Sequence, residues 1–282
     1  MPGSIPPLVS ADWLQRTGDD RNLVILDASF HLPTSGRDGR KEFETARIPG
    51  ARFFDIDGIK DPHSDLPHMM PDDVTFEQAM AEIGISDSSR IVVYDWHGLF
   101  SAARAWWMLR AFGHANVALL DGGFNTWTAE NRPVETSPAP TPPRGSFTAH
   151  LNRKFIKKLD DVREASRRGD WQILDARSAG RFNGTDPEPR PGLRSGHIPG
   201  SINIPHSTLS NPDGTVRSTF ELRDLLEKAG VNLAGPILTS CGSGVSACNI
   251  TFVLHLLGHR DAPVYDGSWS EWGARPDTAK LP

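Results

Sequence analysis

Short, almost uniformly apolar runs alternate with longer segments of helical period along the whole chain. In the first half they are VILDA (24–28), RIVVYD (90–95) and VALLD (117–121); in the second, QILDA (172–176), GPILTS (235–240) and APVYD (262–266). Runs of this length, bounded by turn or polar residues, predict strands buried on both faces, as in parallel sheets. SAARAWWMLRAFG (101–113) predicts a helix stopped at Gly113, and SACNITFVLHLLG (246–258) predicts its counterpart. Ser218 and Glu221 fit a capping box opening a further helix through LRDLLEKAG. Strands alternating with helices predict the α/β class, with a doubly wound, mainly parallel sheet flanked by helices in each half. In such sheets ligands bind beyond the carboxyl ends of the strands.

The two halves repeat one another. LVILDAS (23–29) matches WQILDARS (171–178), and RIPGARFFDI (47–56) matches HIPGSINIPH (197–206). At a constant offset of 145, Ser101-Ala102, Gly113-His114, Asp121-Gly122 and Trp127 match Ser246-Ala247, Gly258-His259, Asp266-Gly267 and Trp272. Order is preserved throughout, which predicts two copies of one fold. Between them lies ENRPVETSPAPTPPRGS (130–146), with five prolines and little apolar content. That composition predicts an extended segment outside either core. The expected division is a domain over 1–131, a Pro-rich linker over 132–150 and a second domain over 151–282.

Composition narrows the class. The chain has 282 residues, 38% hydrophobic and 23% charged, as a folded globular protein does. No apolar run approaches the roughly 18–20 residues of a membrane span, and MPGSIPPLVSADWL does not read as a secretory signal. A cytoplasmic location without membrane attachment is the expectation. Charge is uneven: residues 1–140 carry 12 basic and 20 acidic side chains, and residues 141–282 carry 18 and 15. The second half is therefore net positive and suits a small anion, but without the dense basic stripe of a nucleic-acid binder. Cys241 and Cys248 are too few for a disulfide framework or a Cys-rich zinc site. The histidines show no metal-ligand spacing, so neither metal nor other cofactor is expected.

The candidate chemistry lies at the end of GPILTS. There CGSGVSA (241–247) turns the chain from strand to helix, placing Cys241 where ligands bind. Gly242 and Gly244 permit a tight curl that points several amide N–H groups inward, and the following helix adds the positive end of its dipole. Such a cradle favours a thiolate over a buried, inert thiol. Cys248, inside the helix, reads as a core thiol. By the offset of 145 Trp96 stands opposite Cys241, so the first copy is expected to be catalytically silent.

The tandem repeat, the loop CGSGVSA and the ending APVYDGSWSEW (262–272) resemble the rhodanese superfamily of sulfurtransferases. FETARIPGARFF (43–54) matches that family's N-terminal signature at all but one position. The resemblance covers nearly the whole chain and implies two tandem rhodanese-like domains. Thiosulfate-using members carry a basic C-R-K-G-V-T loop; the form C-G-S-G-V-T belongs to the 3-mercaptopyruvate branch, from which this chain departs only in Ser246. The resemblance implies that Cys241 takes sulfur from 3-mercaptopyruvate as a persulfide, releases pyruvate, and passes the sulfur to a thiol acceptor such as thioredoxin, or to cyanide in an assay. Gly242, Ser243, Gly244, Val245 and Ser246 would stabilise the persulfide. Charge developing on the donor's carbonyl needs a stabiliser; the Ser243 hydroxyl is nearest in sequence, and a plain turn residue is the competing reading.

The intact family motif from Gly180 to Arg190 implies that Arg181 and Arg190 hold the donor carboxylate, because planar guanidinium groups match a carboxylate bidentately. Arg177 reads as a structural ion pair and Arg194 as a surface charge. The family's usual His before the first I-P-G-A, proposed in some members to relay a proton with the loop Ser, is Arg47 here. Arginine cannot act as a base, so the relay is either dispensable or carried by water. Three other readings compete: a thiosulfate sulfurtransferase, which would need a cation at 242–243; a Cdc25-like phosphatase, which would need an Arg in the loop; and a non-catalytic sulfur-carrier or binding module.

Overall fold

Each central apolar run becomes a strand buried on both faces. The computed structural model describes residues 4–18, 20–260 and 262–282. In the N-terminal half these are β1 (Leu8–Val9), β2 (Leu23–Asp27), β3 (Arg52–Phe53), β4 (Arg90–Tyr94) and β5 (Val117–Leu120). They form one parallel sheet in the order β1-β5-β4-β2-β3. In the C-terminal half β6 (Ile156–Lys157), β7 (Gln172–Asp175), β8 (Ser201–Asn203), β9 (Ile237–Ser240) and β10 (Val264–Tyr265) repeat that order as β6-β10-β9-β7-β8. Parallel neighbours need crossovers, and helices supply them. The predicted pair of helices is present at Ala102–Ala111 and Ala247–Leu256. Their side chains are buried almost all round, as helices packed within a core should be. The Ser218 cap forms as expected, with Glu221 reaching back to close the box.

The edge strands are what periodicity does not show. β1, β3 and β6 are two residues long and β8 three, too short to display any alternation.

The chain divides into two compact units, and their boundaries differ from a cut at a single linker. The first comprises residues up to Pro62, Met70–Leu151 and Asn211–Val216; the second comprises His63–Met69, Asn152–Ser210 and Arg217–Pro282. The Pro-rich stretch lies wholly in the first unit. It is extended, but Glu135 pairs its backbone with Arg47, Gly145 donates to the Ala81 carbonyl, and Phe147 is buried. Prolines remove donors without preventing side chains from packing, so the segment is a strap on the core and not a free spacer. In the second unit β7 and β9 run side by side with Asp175 opposite Ser240, and Ala176 N–H donates to the Ser240 carbonyl at 2.9 Å. That register sets the arginine-rich segment after β7 next to the loop after β9.

Candidate active site

β9 delivers Cys241 at its carboxyl end, and a six-residue loop leads into the helix Ala247–Leu256. The loop's glycines do different work. Gly244 has φ +78°, a left-handed conformation that side chains rarely adopt. Gly242 is not left-handed. A methyl there would come within 2.8 Å of Arg181 Nη2, so the guanidinium would have to shift.

The loop is pinned from outside. Trp269 N–H donates to the Cys241 carbonyl at 2.9 Å, and Ser270 donates to the Gly242 carbonyl through its N–H at 2.8 Å and its hydroxyl at 2.7 Å. Cys241 N–H donates to Ser268 Oγ, which donates in turn to the Tyr265 carbonyl. Ser268 holds a left-handed φ of 47° to do this. With these carbonyls turned outward, the amides of Gly242, Ser243, Val245 and Ser246 make no hydrogen bond to protein among the described residues. Amides left open in this way are what the anion cradle expected from the glycine pattern requires.

Cys241 itself is buried, 1% exposed. Cys248 is fully buried and donates its thiol to the Gly244 carbonyl at 3.2 Å, as a core residue of the helix.

Ser243 is more than a turn residue. Its Oγ shares a hydrogen bond of 3.0 Å with Nδ1 of His68, both side chains being buried in the second unit. Sequence reasoning missed His68. The signal was a histidine flanked by prolines (Leu66-Pro67-His68-Met69-Met70-Pro71) in a stretch without periodicity, where positioned functional side chains are common. Arg47, which stands where the family's usual histidine is expected, lies in the first unit. It is fully buried, ion-paired with Glu135 at 3.0 Å and donating to the Ser137 carbonyl. The imidazole beside the loop serine is therefore His68.

Arg177 forms the structural ion pair expected of it. It is fully buried, bonded to Asp175 at 2.7 Å and to Glu188 at 2.8 Å, with its guanidinium 4.3 Å above the Trp269 ring. Burial opposes its charge, but Asp175 and Glu188 outweigh that and hold its pKa above the ordinary value. Arg181 opens toward the loop beside Gly242, with Glu188 on its other side. Arg190 is half-buried two residues after Glu188. Arg194, expected at the surface, is instead half-buried and donates to the carbonyls of Trp272, Gly273 and Thr278; a guanidinium fork suits a cluster of C-terminal carbonyls. His197 is structural, stacked 3.8 Å from Phe182 and bonded to its carbonyl. Among the described residues no cluster of three or more His, Cys, Asp or Glu side chains could hold a metal.

The chain is similar to known proteins over nearly its whole length. The rhodanese-like domain model matches residues 10–130 and 158–275. The 3-mercaptopyruvate sulfurtransferase of Rattus norvegicus is 45% identical over 274 residues, 95% of this chain and 92% of its own length. The enzyme of that name from Escherichia coli K12 is 44% identical over 270 residues, 95% of each chain. The crystal structure of SseA from Escherichia coli, a 3-mercaptopyruvate sulfotransferase of rhodanese fold, superposes with a TM-score of 0.86 at 41% identity, covering 94% of this chain and 99% of that one. With two matched domains, two permuted parallel sheets and near-complete coverage, the chain belongs to the rhodanese family, in its tandem-domain form.

Proposed function

We propose that this sulfurtransferase moves sulfur from 3-mercaptopyruvate through a persulfide on Cys241 to a thiol acceptor, releasing pyruvate. The observation that carries the reading is the pairing within one loop of Gly242, which leaves room for the Arg181 guanidinium, with Ser243, which meets His68. A donor carboxylate held by Arg181 and Arg190 would set its thiol sulfur over Cys241. The Cys241 thiolate attacks that sulfur, a new S–S bond forms, and the donor's C–S bond breaks. The electron pair passes to the three-carbon fragment as an enolate, whose oxygen Ser243 can stabilise by hydrogen bonding. The Ser243–His68 pair carries the proton from the donor thiol to the enolate, which becomes pyruvate. The persulfide is an anion in the amide cradle. An acceptor thiolate attacks its outer sulfur and restores Cys241; a dithiol of the thioredoxin kind then closes to a disulfide and expels sulfide, so electrons balance.

The loop offers no side-chain cation at Gly242 or Ser243 for a thiosulfate dianion, which favours the keto-acid donor. A reducing cytoplasm suits a chain in which neither Cys241 nor Cys248 is in a disulfide. No helix among the described residues is long and apolar enough to cross a membrane.

The test is mass spectrometry of the intact protein after each donor. With 3-mercaptopyruvate we expect one added sulfur atom on Cys241 and stoichiometric pyruvate, and with thiosulfate far slower loading. Preferential loading from thiosulfate would reverse the donor assignment, and no loading from either would remove the mechanism.

A further inference from the structure

Arginine is long and flexible, so a carboxylate site built on Arg181 needs something to hold the guanidinium. We propose that Glu188 is a positioning residue for the sulfur donor: it occupies the Nε side of Arg181 and so turns the Nη1–Nη2 edge toward the space beside Gly242. The inference rests on the reading of Arg181 as a ligand of the donor carboxylate.

Glu188 is held rigidly. Its side chain is 2% exposed. Oε1 accepts from Arg177 Nη1 at 2.8 Å, while Oε2 accepts from Arg181 Nη2 at 2.5 Å and from Arg181 Nε at 3.2 Å. Arg177 is fixed in turn by Asp175, by the Gly196 carbonyl and by the face of Trp269. Trp269 is the residue whose N–H holds the Cys241 carbonyl. A continuous set of buried contacts therefore ties the placement of Arg181 to the nucleophile's own backbone.

A guanidinium presents two edges that fit a carboxylate. Glu188 takes the Nε–Nη2 edge. Among the described residues Arg181 Nη1 donates no hydrogen bond, which leaves the Nη1–Nη2 edge for a second carboxylate. Gly242 sets the other limit, since a methyl there would stand 2.8 Å from Nη2 and 3.8 Å from Nη1. Arg181 is thus confined between Glu188 and the bare backbone of the persulfide loop.

Charge argues that this role is geometric. Asp175, Arg177, Glu188 and Arg181 carry two negative and two positive charges, so the group has no net charge to attract a donor. Neutralising Glu188 would raise the local positive potential and, were long-range attraction what mattered, would tighten donor binding. If orientation is what matters, the same change weakens it, because a Gln amide can accept from one arginine only while turning its N–H₂ toward the other. The two accounts predict opposite signs.

The experiment is steady-state kinetics with 3-mercaptopyruvate and cyanide on the full chain, for Glu188→Gln, Arg181→Ala and the double variant. We expect Glu188→Gln to raise KM about tenfold with kcat changed less than about threefold. We expect Arg181→Ala to raise KM more, and the double variant to be no worse than Arg181→Ala, as for residues acting through one another. Cyanide discharge of a persulfide loaded at saturating donor involves no carboxylate and should keep its rate in Glu188→Gln; a general loosening of the loop would slow it. An unchanged or lowered KM in Glu188→Gln, an effect that persists in the Arg181→Ala background, or slowed discharge each overturns the proposal. An Arg181→Ala variant with unchanged KM would instead remove the carboxylate reading beneath it. Gly242→Ala pushes the same guanidinium from the other side and serves if Glu188→Gln does not fold. Its KM should also rise, and a rise that persists without Arg181 would overturn the positioning claim.

Discussion

The loop after β4 and the loop after β9 are two versions of one device, and their hydrogen bonds define which residues correspond. In the first unit Phe124 N–H and Asn125 N–H donate to the carbonyls of Asp95 and Trp96. In the second, Trp269 N–H and Ser270 N–H donate to those of Cys241 and Gly242. Asp95 therefore stands where Cys241 stands. The constant offset of 145 pairs Cys241 with Trp96, and it fails here because the first loop is one residue longer between these points and Ser101. Asp95 also fills the cradle with its own carboxylate. Oδ1 accepts from the amides of His97 and Gly98, and Oδ2 from those of Phe100 and Ala102, at 2.7–2.9 Å. In the first unit these loop amides are therefore taken by a carboxylate of the same loop. On the proposed function, the residue at the strand end would decide whether such a loop holds a fixed carboxylate or a sulfur that comes and goes.

The sharpest way to break this correspondence is Cys241→Asp. Turnover should fall by about 10³-fold or more, as for any loss of the nucleophile. Stability should stay within about 1 kcal/mol of the parent, because the amides are already arranged for a carboxylate; an uncompensated buried carboxylate costs several times that. A cooperative melt close to the parent's would support the equivalence, and a melt lowered by tens of degrees would end it.

A smaller effect is expected from His68→Ala, which removes the imidazole that meets Ser243. We expect kcat with 3-mercaptopyruvate to fall about 10²-fold, in the range of acid–base contributions, while cyanide discharge of the loaded persulfide changes little. Equal losses in both half-reactions would assign His68 to loop structure alone.

The smallest effect sharpens the comparison at the neighbouring corner. Asp175 faces Arg177, whereas its counterpart Asp27 is followed by Ser29 and has no such cation in its D-A-S corner. Burial pushes Asp27 up to about 6, against the hydrogen bonds it receives from Ser29. From about pH 4 to about pH 6 the folded chain then holds a proton that the unfolded chain has released. This residue's contribution to stability falls as pH rises through that window, by on the order of 2–3 kcal/mol. Asp27→Asn should remove that part of the slope, and denaturant melts at pH 4 and pH 7 would show it. Parallel losses in the variant and the parent would assign the slope to other groups.

The central strands were legible because each is an apolar run bounded by turn residues, and the second-half chemistry was legible because Cys241 follows such a run directly. The pairing of Arg177 with Asp175 could be read from three residues of sequence. His68 could not, since it is 175 residues from Ser243 and no local pattern connects them. Glu188 looked like one of two acids among several arginines; burial and two short contacts distinguish it from Asp186, which is exposed.

By itself, then, the sequence determined the two parallel α/β copies and the nucleophile's place at a strand end, because periodicity and turn chemistry act between near neighbours. Tertiary structure alone decided which imidazole meets Ser243, that Arg181 lies against Gly242, and that Asp95 and not Trp96 answers to Cys241. Those are contacts and registers between distant segments, and the chain can express them only once the sheets have set its strand ends side by side.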